Sequence, residues 1–142
     1  MSEATGYEAK TIHRLLEYSM QLGGFARNDK NQLECDLLIV DEASMIDIML
    51  LHHLLKAIPP NATLILVGDV DQLPSVGCGC CLRDIINSEA IPTIRLNTIF
   101  RQAQASQIIV NSHRINQGLL PEYGTTGRND FFMLERENPE DI

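Results

Sequence analysis

A chain of 142 residues with 44% hydrophobic content is long enough to bury one core, and no tract in it has the composition of a disordered segment. Its formal net charge of −8 has the wrong sign for a domain that grips nucleic acid mainly by neutralising phosphates, so any basic surface for DNA must lie elsewhere. The longest apolar runs, 37–40 and 63–67, are far too short to cross a bilayer, and MSEATGYEAK lacks the basic and apolar regions of a signal peptide, which predicts a cytoplasmic protein.

In chain order, EAKTIHRLLEYSM places Ile12, Leu15, Leu16 and Met20 at helical spacing, and QLGGFARNDKNQ then breaks the pattern into a loop. DLLIVD is a continuous apolar run suited to a strand buried on both faces. IDIMLLHHLLKAI reads as a helix, PPN at 59–61 as a turn, and TLILVGD as a second buried strand. Strand, helix, strand is the parallel crossover unit. The rhythm continues with a short helix in CLRDIINSE, a strand in IPTIRLN, and a longer helix in QAQASQIIVNSHRINQG capped by Gly118. After the turn-rich PEYGTTGRND, FFMLE is a last expected strand. Such alternation predicts an α/β layered fold with a mainly parallel sheet and flanking helices.

In a parallel sheet the residues that come after each strand emerge along one common edge, where ligands bind. Here that edge collects Asp41, Glu42 and Ser44 after the first strand, Asp69, Asp71 and Gln72 after the second, and Asn97 with Arg101 after the third. Acids, an amide and a cation are what a magnesium–triphosphate site uses. One carboxylate holds the metal through water, a second accepts a proton from the attacking water, an amide senses the terminal phosphate, and an arginine offsets its charge. The corresponding assignments are Asp41 to metal, Glu42 to base, Gln72 to the terminal phosphate and Arg101 to charge compensation. Acids after a strand also cap the following helix, and a single arginine is often no more than a solvated side chain. Cys78, Cys80 and Cys81 in VGCGCCL, with Cys35 upstream, lack a second CxxC or paired His at zinc-ligand spacing, and free thiols are the simpler reading.

LLIVDEASMID, LILVGDVDQLPSVG and LNTIFRQAQASQIIVNSHRINQG resemble, in order, motifs II, III and IV of superfamily 1 DNA helicases, in the RecD-like branch that includes the exodeoxyribonuclease V alpha chain. SEATGYEAKTIHRLLEY resembles the same branch after motif Ia, with Thr11 and His13 where the superfamily carries a TxH motif that touches single-stranded DNA. The resemblance implies a partial RecA-like P-loop NTPase domain, residues 1–120 being the later portion of the first such domain and 121–142 a linker and strand toward the second. By the same likeness Asp41 and Glu42 form the Walker B pair, Asp69 adds a nucleotide-binding acid, Gln72 is the motif III glutamine and Arg101 the motif IV arginine. It implies ATP and Mg²⁺ as cofactors of a longer parent, DNA unwinding in recombination and repair with 5′ to 3′ polarity, and a possible nuclease or helicase complex. The family has small or polar residues where VGCGCC stands here.

No G-x-x-x-x-G-K-[ST] phosphate loop occurs in the chain. The family places that loop upstream and motifs V and VI downstream, so the expectation is a segment inactive alone, with the phosphate-loop strand missing and an apolar sheet edge that is either closed by repacking or covered by self-association. Two alternatives stay open: a non-catalytic interaction module that keeps the helicase fold, and a superfamily 1 RNA helicase piece.

Overall fold

The computed structural model describes residues 5–21, 23–96, 106–123 and 130–132, which fall into two compact units, Met1–Thr93 and Ile94–Ile142. In the first unit a short helix α1 (Ile12–Leu15) leads into an antiparallel pair, β1 (Tyr18–Ser19) with β2 (Gly24–Phe25). Then come β3 (Leu37–Val40), a 3-10 turn (Ala43–Met45), α2 (Ile48–Ala57), β4 (Thr63–Leu66) and α3 (Cys81–Asn87). The second unit contains α4 (Gln107–Asn116).

β3 and β4 pair in parallel with α2 between them in sequence, in the register Leu37 with Thr63 through Val40 with Leu66. This is the expected crossover. Main-chain bonds extend the pairing past both ends, from Thr63 N–H to Asp36 O at 2.8 Å and from Val67 N–H to Val40 O at 2.8 Å. β-branched and leucine side chains suit the pleated surface on which they lie.

Helix α2 starts where Asp47 accepts the Leu50 N–H at 2.7 Å, a side-chain cap for a donor with no intrahelical partner. Leu51, Leu54 and Ala57 recur at helical spacing and face the core with Leu16, Leu33, Val40, Ala43, Ile46, Cys81 and Leu82. Leu54 is wholly buried.

Four expectations change. The helix expected over EAKTIHRLLEYSM is four residues long, because Glu17 turns into the left-handed region at φ 54° and sends Tyr18–Ser19 back against Gly24–Phe25. An Arg27 Nε to Glu17 ion pair of 2.9 Å and the Arg27 N–H to Leu16 O bond of 3.1 Å fasten the returning chain, and Met20 points to solvent. The strand expected over IPTIRLN is irregular from 91 to 96, with Ile94 and Leu96 exposed. A strand forms only where a neighbour completes its hydrogen bonds, and among the described residues β3 and β4 pair only with each other. β3 is buried on one face and not both, because the core lies on one side of the sheet: Leu38, Val40, Leu64 and Leu66 turn to it, while Leu37, Ile39, Ile65 and Val67 stand 43–50% exposed on the other. Of FFMLE, Phe131 and Phe132 form no strand and the rest lies outside the described residues.

Helix α4 ends as its glycine foretold. Gly118 takes φ 75°, its N–H bonds Ile115 O at 2.9 Å, and Leu119 N–H bonds Arg114 O at 2.8 Å, the paired closure that a left-handed residue permits. At the other end Ser106 caps the helix and donates to Asp130 at 2.6 Å, while Gln107 N–H donates to the same carboxylate at 2.7 Å. The Ser106 hydroxyl, with the Gln107 amide, holds Asp130 below the usual carboxylate range. Asn111 is fully buried and exchanges bonds with the Glu122 backbone, donating to its O at 2.8 Å and accepting its N–H at 2.7 Å.

Candidate functional site

The parallel pairing of β3 and β4 sets the loops at their C-terminal ends side by side. Asp41 and Glu42 leave β3, and Asp69, Asp71 and Gln72 lie in the loop after β4. The two loops are joined directly, since the Ala43 N–H donates to Val67 O at 2.9 Å. At Gly68 the backbones come so close that a Cβ would sit 3.0 Å from the amide nitrogens of Ala43 and Ser44 and 2.9 Å from Leu82 Cδ2. Only glycine fits this approach without moving a backbone.

The acids are exposed, and hydrogen bonds orient two of them. Asp41 Oδ1 accepts the Glu42 N–H at 3.1 Å, and Asp69 Oδ1 accepts the Asp71 N–H at 2.9 Å, an Asx turn that shapes the second loop. Gln72 N–H also bonds Asp69 O at 3.3 Å. Glu42 adopts φ 55° and ψ 39°, a left-handed conformation that costs a non-glycine residue steric strain. That backbone reverses the chain between the strand and the 3-10 turn. Neither Asp41 nor Asp69 has a cationic partner among the described residues. No group of three or more His, Cys, Asp or Glu comes together there either. Exposed carboxylates are hard oxygen donors, of the kind that hold a divalent ion one or two at a time.

Beside the acids is a shallow depression lined by Ser44, Val70, Gln72, Pro74, Cys80, Leu82 and Arg83. Arg83 is fixed at its rim, donating from Nη2 to Val70 O at 2.9 Å. The Ser44 hydroxyl is buried and has no hydrogen-bond partner among the described residues. All four cysteines are free thiols, and burial pushes the Cys81 thiol up.

Thr11 and His13 belong to a different constellation. The Thr11 hydroxyl caps α1, accepting the Arg14 N–H at 3.4 Å. His13 meets Phe25 at 5.7 Å and Tyr18 at 6.3 Å between ring centroids, Tyr18 meets Phe25 at 5.2 Å, and Phe25 meets His53 of α2 at 5.0 Å. Sequence reasoning missed this cluster of rings, although aromatic residues on either side of Gly23 and Gly24 were a hairpin signal. Asn97 and Arg101 lie outside the described residues.

The profile of the family described as AAA domain matches residues 1–78, more than half of the chain. The chain belongs to that family. Among its relatives, this AAA-domain chain is 44% identical over 124 residues to the ATP-dependent RecD2 DNA helicase of Deinococcus radiodurans, covering 87% of the chain and 17% of that protein. It is 41% identical over 83 residues to the RecBCD enzyme subunit RecD of Mycolicibacterium smegmatis, covering 58% of the chain and 15% of the relative. A RecBCD enzyme subunit RecD from Buchnera aphidicola subsp. Schizaphis graminum is 33% identical over 108 residues, 75% of the chain and 18% of the relative. The RecD-like resemblance drawn from the motifs is thus upheld. The chain spans less than a fifth of the length of these relatives. Among the described residues no helix is long and apolar enough to cross a membrane.

Proposed function

We propose that this chain is the ATPase-core segment of a cytoplasmic, RecD-like, ATP-dependent DNA helicase that moves 5′ to 3′ on single-stranded DNA in recombination and repair. The observation that supports it best is the paired loop system: two parallel strands set Asp41 and Glu42 beside Asp69 and Gln72, tied through the Ala43 to Val67 bond of 2.9 Å. Residues 1–120 are assigned to the later portion of the first RecA-like domain, and 121–142 to a linker and strand leading to the second.

In this reading Asp41 would hold Mg²⁺ through water, and Asp69 would add negative charge that favours the same ion. The bound Mg²⁺ would neutralise charge on the phosphate oxygens. Glu42 takes the proton of the attacking water, and the exposed Gln72 amide bonds the terminal phosphate. Arg101 offsets the charge that develops there. Thr11 and His13 contact single-stranded DNA, with the ring of His13 braced by Phe25 and Tyr18. A net charge of −8 leaves most phosphate neutralisation to other parts of the longer protein, and to any nuclease or helicase subunits that assemble with it.

Calorimetric titration with Mg²⁺ and a non-hydrolysable ATP analogue tests the reading. The longer helicase is expected to give a saturable isotherm, and the 142-residue chain, which has no phosphate loop, none. Saturable binding by the 142-residue chain, lost on changing Glu42 and Arg101, would replace the helicase-core reading with that of a self-sufficient nucleotide switch.

The open face of the β3 and β4 sheet carries Leu37, Ile39, Ile65 and Val67 together, an apolar surface on a pair with no further strand among the described residues. We infer that the isolated chain covers this face and its edges with a second copy. Light scattering should return a dimer or larger species, and a monodisperse monomer at every concentration would sink the idea.

A further inference from the structure

The depression beside the acids contains a chemical mismatch that the roles assigned so far leave unused. Ser44 is 9% exposed and its Oγ is buried without a partner among the described residues. A serine in a helical turn commonly bonds a carbonyl three or four residues back, and Ser44 does not. Few polar side chains line the same depression. Arg83, on the same rim, already gives a guanidinium N–H to Val70 O at 2.9 Å. The thiol of Cys80 is a weak donor and acceptor. That leaves Gln72, whose exposed side-chain amide lines the same depression and offers both a carbonyl and an NH₂.

We propose that Ser44 is a positioning residue: its hydroxyl is the docking point onto which the Gln72 amide folds, so that the loop after β4 has a latched and a released state. The structure holds the released one, with Gln72 exposed and the hydroxyl orphaned. Folding the amide inward satisfies a buried hydroxyl at the cost of an amide's contact with water, opposing contributions of similar size that leave both states populated. The Gly68 approach holds the start of the β4 loop against the backbone of Ala43 and Ser44. A second consequence rests on the helicase-core reading. The terminal phosphate and Ser44 compete for one amide, so the latched fraction reduces the apparent affinity for nucleotide.

The latch is read in the 142-residue chain by NMR, independently of any nucleotide. Ser44→Ala should shift the Gln72 side-chain NH₂ pair to solvent-exposed values and leave the Arg83 Hε signal in place, whereas mere loosening of the depression would move both. Gln72→Ala, at an exposed position that does not threaten folding, should move the Ser44 Hβ resonances in return. Unmoved Gln72 signals in a folded Ser44→Ala chain overturn the proposal. If that variant does not fold, unmoved Ser44 signals in Gln72→Ala overturn it equally. In the longer helicase, Ser44→Ala should tighten the Kd for an ATP analogue by about twofold. A shifted Gln72 amide with an unchanged Kd supports the latch and overturns the phosphate competition, and with it the role given to Gln72.

Discussion

Glu42→Gln in the longer helicase lowers ATP turnover by about 10²- to 10⁴-fold, the range lost when a positioned general base can no longer take a proton. The substitution keeps the shape of the side chain and removes only its basicity. It also keeps the backbone, which matters because Glu42 sits at φ 55°, where the chain reverses between β3 and the 3-10 turn. Nucleotide binding by the variant should stay close to that of the parent, since the metal and phosphate contacts are assigned to Asp41, Asp69, Gln72 and Arg101. Turnover and calorimetric Kd measured on the same preparation decide the matter. Turnover within a factor of about ten of the parent would remove Glu42 from the role of base, since a base is worth at least about 10²-fold.

Gly68→Ala is expected to destabilise the chain by about 1–3 kcal/mol, the usual cost of forcing extra atoms into a well-packed site. The added methyl would lie 2.9 Å from Leu82 Cδ2 and 3.0 Å from the amide nitrogens of Ala43 and Ser44. Leu82 has rotamer freedom with which to yield, but the amides belong to the turn that the Ala43 N–H to Val67 O bond holds in place. Gly24→Ala is the control, because a Cβ there meets nothing within 4 Å. Urea denaturation should separate the two, with Gly24→Ala within about 0.5 kcal/mol of the parent. Equal midpoints would mean that the loop moves aside freely.

The crossover was legible because both of its signals are local. Four apolar residues before Asp41, a polar turn at Pro59–Asn61 and a second apolar run before Gly68 need no knowledge of distant contacts to be read as strand, turn and strand. The α2 cap at Asp47 and the α4 closure at Gly118 are local in the same sense. What failed was non-local. Leu15 and Leu16 have helical spacing, but only the pairing of Tyr18–Ser19 with Gly24–Phe25 reveals where that helix stops. Ile94 has the β-branched side chain of a strand and no partner strand among the described residues. Leu37 and Ile39 spelled burial on both faces, yet a second layer has to exist before a face is buried. At the site, the positions of the acids could be read from sequence. The orphaned hydroxyl of Ser44 could not, because an unpartnered atom is a property of everything packed around it.

The bond between Ala43 and Val67 bears also on how the site behaves under thermal motion. Its two acid-bearing loops hang from adjacent strands in fixed register and touch at one main-chain bond and one glycine. Two loops hung from paired strands are expected to share the sheet's displacements, so the spacing between the Asp41 and Asp69 backbones should vary less than either position does alone.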